Sequence, residues 1–161
     1  MSDLHWLPIV VGIPSMIRLS IIDFRSHRLP NVQVAAMIGS VALSMTLTAT
    51  LCETWSNWRL AWMIAICNVV VYFVLWLMSR GQLGMGDVKY AFPLGLLVGW
   101  SNPSVWLDAI WWTFILGGAI AGLNLCVMRF RSQRRKHNQV LPLGPYMSIA
   151  SFIAATLPIW H

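Results

Sequence analysis

Charge is what this sequence lacks most. Only 10% of its 161 residues are Asp, Glu, Lys or Arg, against about a quarter in a soluble domain. Five of them are acids. With 58% hydrophobic residues, ten tryptophans and nine methionines, and a mean hydropathy of +0.67, a water-soluble core and a disordered chain are both excluded. Cysteine is scarce as well. Cys52, Cys67 and Cys126 fall in or beside apolar runs, their number is odd, and none stands in CxxC spacing, which argues against a disulfide framework and a zinc site. Alternation of polar and apolar residues over ten-residue stretches is also missing, which rules out a β-barrel. No secretory signal opens the chain: Asp3 stands where a basic stretch belongs, and no small-residue cleavage site follows the first apolar run.

What is present is long apolar runs. A bilayer core needs about 20 apolar residues per helix, so this length holds six or seven spans at most. Six are read, at about 4–22, 32–51, 60–78, 88–100, 106–128 and 143–160. The first contains Pro8, Pro14 and Arg18; the fourth is short and carries Pro93. The expected fold is all-α: a polytopic membrane helix bundle of about six transmembrane helices, with residues 1–161 forming one integral-membrane domain and the lipid bilayer as its surroundings.

The basic residues orient that bundle. Arg25, Arg28, Arg80, Lys89, Arg129, Arg131, Arg134, Arg135 and Lys136 follow the odd-numbered spans, Arg18 lies a little inside the membrane on the same side, and only Arg59 is opposite. By the positive-inside rule the crowded face is cytoplasmic and the N-terminus is outside. The net charge of +6, which suggests nucleic acid in a soluble protein, is thereby explained without it, and the run at 129–137 is read as holding a loop to anionic head groups. Trp55, Trp58, Trp100, Trp111, Trp112 and Trp160 read as interfacial anchors on the outer side. Gly117, Gly118 and Gly122 permit close helix packing, and Asn68 and Asn124 are expected to hydrogen-bond across the bundle.

Acids sort in the same way. Asp3, Glu53 and Asp108 lie on the outer side, where solvation explains them. Asp23 and Asp87 remain, each where a span meets the basic interface. Asp87 closes the stretch GQLGMGD at 81–87, at or near the N-cap of the fourth span. A glycine-rich turn with a capping aspartate accounts for that segment by itself. GxGD arises by chance in only about 4% of chains this long, and less often at a membrane boundary in so acid-poor a chain. Asp23 ends the first span, where pairing with Arg18 or Arg25 is the plain alternative. Ionisable residues at membrane depth are nonetheless functional candidates by default.

Two carboxylates from different helices at one depth are the minimum equipment of aspartic protease chemistry. One, ionised, takes a proton from water while the other, protonated, donates to the scissile carbonyl. Held close together they share a proton and titrate in separate steps. The chain offers no GxSxG elbow and no HExxH, and His5, His27, His137 and His161 are scattered between the two sides, so serine and zinc hydrolases are disfavoured and no metal or cofactor is expected. Asp23 ends a helix and Asp87 begins one. The helix dipoles, worth about 0.3–1 kcal/mol each, then favour Asp87 as the ionised base and Asp23 as the acid.

GMGDVK at 84–89 together with DFRSHRLPN at 23–31 resembles the prepilin peptidases, the GxGD membrane aspartic proteases of type IV pilus and type II secretion systems. That family has one aspartate at the cytoplasmic end of an early span, followed by a basic segment ending in Pro-Asn, and a second in GxGD with Lys two positions on. Asp23, Pro30, Asn31, Gly84, Gly86, Asp87 and Lys89 fit. LPLGPY at 141–146, with Pro142, Gly144 and Pro145, resembles the family's Pro-x-Gly-Pro segment before the last span. The resemblance implies catalytic roles for Asp23 and Asp87 and supporting roles for the other eight. It also implies cleavage of short basic leaders from pilin-like precursors at the cytoplasmic face of the inner membrane, and pilus or secretion-system components as partners. The large bifunctional members carry paired CxxC motifs linked to N-methylation. With no CxxC here, the resemblance is to the short peptidase-only type, and methyltransferase activity is not expected. Two other classes stay open: a small transporter with the aspartates as proton or cation ligands, and a non-catalytic assembly subunit. Carboxylates at one interface rather than at the midplane weigh against the transporter.

Overall fold

The computed structural model describes residues 3–26, 29–79, 83–130 and 143–156, with the backbone alone at 3, 26 and 121–130. Six α-helices make up nearly all of it: α1 (Leu7–Ser26), α2 (Asn31–Cys52), α3 (Trp55–Met78), α4 (Met85–Ser101), α5 (Trp106–Phe130) and α6 (Gly144–Thr156). Short 3-10 turns at Asp3–Trp6 and Pro103–Val105 lead into α1 and α5, and no strand occurs among the described residues. Four segments are long and apolar enough to cross a membrane: Leu4–Arg25, Asn31–Cys52, Trp55–Met78 and Pro103–Ile120. α2, at 22 residues, is about 33 Å long, enough to traverse a hydrocarbon core of about 30 Å. α4 and the described part of α6 are shorter, with 17 and 13 residues. The chain is thus a polytopic helical membrane bundle, with six helices among the described residues and four segments that meet the length of a span.

Its apolar side chains face outward as well as inward. Ile17, Leu43, Met63, Ile66, Val70, Ile115 and Ile149 all stand at least half exposed around the bundle, as befits a surface solvated by lipid. The most buried helix is α4, where every residue from Asp87 to Trp100 except Lys89 and Phe92 is buried. A helix apolar on all sides belongs in the middle, and α4 packs against α3 most extensively, then α6 and α2.

Glycine sets the α3–α4 contact. A Cβ on Gly95 would stand 2.8 Å from the Ala65 Cα, and one on Gly99 would stand 2.8 Å from the Ala61 Cα. These paired small residues at four-residue spacing let the two backbones touch. The expected packing glycines behave differently: a Cβ on Gly118 would meet nothing within 4 Å, although Gly117 is buried. Asn68 does bond across the bundle, its Nδ2 donating to the Ala91 carbonyl at 2.7 Å. The Asn124 side chain lies outside the described residues.

Helix ends largely follow the sequence. Pro8 sits in the first turn of α1, where its missing N–H costs nothing, and Pro14 and Pro93 lie inside helices, as membrane helices tolerate. α3 begins at Trp55, five residues before the expected start, because the chain turns directly from α2. Glu53 takes a left-handed conformation and its N–H bonds the Ala49 carbonyl. One expected anchor is corrected. Trp100 is 1% exposed, stacked on His5, with Nε1 donating to the His5 carbonyl at 2.9 Å; the 3-10 turn at the N-terminus folds over it. Trp55, Trp111 and Trp112 are exposed, whereas Trp58 is half-buried and donates to Thr46 Oγ1. Trp160 lies outside the described residues.

Candidate active site

Asp23 and Asp87 are the two buried acids among the described residues, 5% and 6% exposed, whereas Glu53 and Asp108 are exposed. Burying a carboxylate costs several kcal/mol unless other groups compensate, so two in one small bundle are not placed for stability. They come from different helices and lie within electrostatic reach of each other.

Each is held at a helix N-terminus. Asp87 is the third residue of α4, and Gly84 occupies the N-cap position in extended conformation. The carboxylate folds back over that cap onto the Gly84 backbone, where a Cβ on Gly84 would come within 3.1 Å of Asp87 Oδ2. Here an acid at the third position serves the first turn from within, as in a capping box. Asp23 lies three residues before the end of α1, but its surroundings belong to α6. The Gly144 N–H, at the first position of α6, donates to Asp23 Oδ2 at 2.9 Å. A Cβ on residue 144 would fall 2.6 Å from the same oxygen, so the contact requires glycine. The N-terminus of α6 thus adds a positive helix end at Asp23 beside the negative end of α1, which weakens the dipole contrast expected between Asp23 and Asp87.

The remaining motif residues form the flank of the pair. Pro30, with φ −66° and ψ 126°, occupies the N-cap position of α2, and its carbonyl accepts from the Gln33 and Val34 N–H groups. Next to it Asn31 Oδ1 accepts from Lys89 Nζ at 3.0 Å. Lys89 is exposed, and through Asn31 it ties the start of α2 to that of α4. Gly86 lies against Leu29, which a Cβ would approach to 3.4 Å, an ordinary contact. Pro145 follows Gly144 in the first turn of α6 and lines an apolar groove of about 370 Å³ between α1 and α6. Arg18 and Arg25 are exposed. Pro142, His27, Arg28, Arg80 and the basic residues at 131–137 lie outside the described residues, as does the Arg129 side chain.

The structure thus sets Asp23 against Gly144 and Asp87 against Gly84, within electrostatic reach of each other, and joins Asn31 to Lys89. Sequence reasoning passed over Ser20, Tyr90 and Ser148, which the fold brings together one turn away from the carboxylates. A signal was present for two of them: Ser20 precedes Asp23 by three residues and Tyr90 follows Asp87 by three, which places each on its aspartate's face of the helix. No group of three or more His, Cys, Asp or Glu suited to a metal ion occurs among the described residues.

Fold and site together define a polytopic membrane protein with a buried pair of carboxylates at helix N-termini. The family model for the type IV leader peptidase family matches residues 10–127, and the chain belongs to that family. The matched stretch includes Asp23, Asn31, Asp87 and Lys89 and stops short of Gly144. The chain is similar to a prepilin leader peptidase/N-methyltransferase of Aeromonas salmonicida strain A449, 33% identical over 91 residues that cover 52% of this chain and 28% of that protein. A second Aeromonas salmonicida protein of the same name matches with the same identity and coverage. The match therefore spans little more than a quarter of these relatives. No solved structure matches the chain.

Proposed function

We propose that the chain is a membrane aspartic endopeptidase, one integral-membrane unit that removes the short basic leader from type IV pilin-like precursors at the cytoplasmic face of the inner membrane. The observation that carries this reading is the buried pair of carboxylates from α1 and α4, each ordered by backbone at a helix start. Family membership supplies the substrate class. Substrate geometry suits it too. A leader stays in water at the interface while the apolar stretch behind it lies in lipid, so the scissile bond falls at the depth of the pair.

In this reading the pair holds one proton and a water molecule. The ionised carboxylate takes a proton as the water oxygen attacks the scissile carbonyl carbon, and the protonated partner gives its proton to the carbonyl oxygen. A neutral tetrahedral diol results. Its collapse breaks the C–N bond, a proton passes to the departing nitrogen, and the leader leaves with a new carboxyl end. Gly144 N–H and the Gly84 backbone hold the carboxylates in place, and Lys89 with Asn31 braces the start of α4 against that of α2. The proposal concerns cleavage; methyl transfer is not part of it.

The test is the purified chain in lipid nanodiscs with a pilin-like precursor. Release of the leader, seen as a new N-terminus by mass spectrometry, is expected from the wild type and lost in Asp23→Asn and in Asp87→Asn. A chain that moves protons or cations across liposomes and loses that flux in the same variants is a transporter. One that supports pilus or secretion assembly with both substitutions in place is an assembly subunit.

A further inference from the structure

The carboxylates sit on α1 and α4, yet these two helices touch each other little, and each packs more extensively on α6. Both α2 and α6 bridge them, and the polar point of the α6 joint, where a side chain of each helix meets one atom, is Ser148. Ser20 Oγ, on α1, donates to Ser148 Oγ at 2.7 Å. The Tyr90 hydroxyl, on α4, lies 2.7 Å from the same oxygen, and Ser148 Oγ donates to the Gly144 carbonyl at 2.9 Å.

A serine hydroxyl has one proton and two lone pairs. With its proton on Gly144 and one lone pair taken by Ser20, the Ser148 oxygen receives the Tyr90 proton on the other, so Tyr90 is the donor and the oxygen is saturated. Tyr90 is wholly buried and Ser148 nearly so. Gly144 is thereby fixed from both ends, its carbonyl by Ser148 and its N–H by Asp23. Hydroxyl pairs of this kind add little to stability, but their directionality fixes register where apolar contacts slide.

We propose that Ser148, with Tyr90 and Ser20, forms a hydroxyl clamp that sets the separation of Asp23 and Asp87. These are positioning residues for the peptidase reading above, on which the inference rests. Among the described residues, the other titratable groups within electrostatic reach of the pair are tyrosines: Tyr90 itself for Asp23, and Tyr72 of α3 for Asp87. Lys89 is turned to Asn31 instead.

The experiment uses the full chain in lipid nanodiscs, a pilin-like precursor peptide, and infrared titration of the carboxyl bands. Ser148→Ala and Tyr90→Phe are expected to lower kcat about 10- to 100-fold and leave KM within about twofold. In both variants the two carboxyl titration steps draw together, since a wider pair interacts less. Ser148→Thr, which keeps a hydroxyl, restores most of the rate. Wild-type kcat and unchanged infrared steps in both variants overturn the clamp, and so does a fall in kcat with unchanged steps, the mark of a merely structural role. Should Ser148→Ala fail to fold, Tyr90→Phe, which removes a single oxygen, decides alone. A wild-type chain that cleaves no precursor refutes the peptidase reading, while the infrared steps still decide the clamp.

Discussion

Replacing Gly144 with alanine puts a methyl group 2.6 Å from Asp23 Oδ2, 3.0 Å from its Cγ and 3.1 Å from its Cβ. Ordinary contact begins near 3.4 Å, so the carboxylate retreats by about 0.8 Å. Along the 2.9 Å hydrogen bond from Gly144 N–H, that retreat exceeds hydrogen-bonding range. A hydrogen bond to a charged group contributes about 1.5–3 kcal/mol, and each 1.36 kcal/mol is about tenfold in rate. Gly144→Ala is therefore expected to lower kcat/KM for precursor cleavage roughly 10- to 100-fold. The assay is cleavage by purified protein in nanodiscs, with thermal unfolding measured alongside. Gly118→Ala is the control, because its Cβ meets nothing within 4 Å; it is expected to change neither quantity. A Gly144→Ala protein that cleaves within about twofold of wild type refutes the claim that this contact orders Asp23.

Gly95→Ala and Gly99→Ala each force a methyl to 2.8 Å from an α3 backbone carbon, and are expected to cost about 1–3 kcal/mol, read as a lower unfolding temperature in detergent; unchanged unfolding contradicts the close α3–α4 packing. Asn68→Ala leaves the buried Ala91 carbonyl without the Nδ2–H donor and is expected to destabilise the bundle by about 1–3 kcal/mol in the same measurement. For the orientation, Cys52, Cys67 and Cys126 are first replaced by serine. A single cysteine at Glu53 is then expected to react with an impermeant maleimide from outside the cell, and one at Arg25 only from within. The reverse pattern overturns the positive-inside argument.

The sequence carried the elements further than their partners. α2 fell within one residue of the apolar run that announced it, because hydropathy and length fix a span without knowledge of its neighbours. Both aspartates and the Pro-Asn segment stood out because acids are so few and the basic face is so crowded. The close α3–α4 packing did not. Gly95 and Gly99 sit in an unbroken apolar run, and nothing local tells which helix they face; the glycines first suspected, in α5, include one that packs against nothing. Trp100 looked like an interfacial anchor by its position near a helix end, and was buried because the N-terminal turn folds over it. The dipole argument was incomplete for a related reason. It considered the helix that carries Asp23, whereas the deciding N–H belongs to Gly144, 121 residues away. The 58-residue pairings of Lys89 with Asn31 and of Tyr90 with Ser148 are likewise products of the tertiary fold.

The central claim is that Asp23 and Asp87 act as one catalytic unit, and the most direct measurement is the cleavage rate of a pilin-like precursor by wild type, Asp23→Asn, Asp87→Asn and the double variant. Groups that work as a unit are non-additive: removing one costs about as much as removing both. The account predicts that each single variant, folded and membrane-inserted, is as inactive as the double. Substantial cleavage by either single variant, or a double variant slower than both by the product of their separate losses, contradicts it.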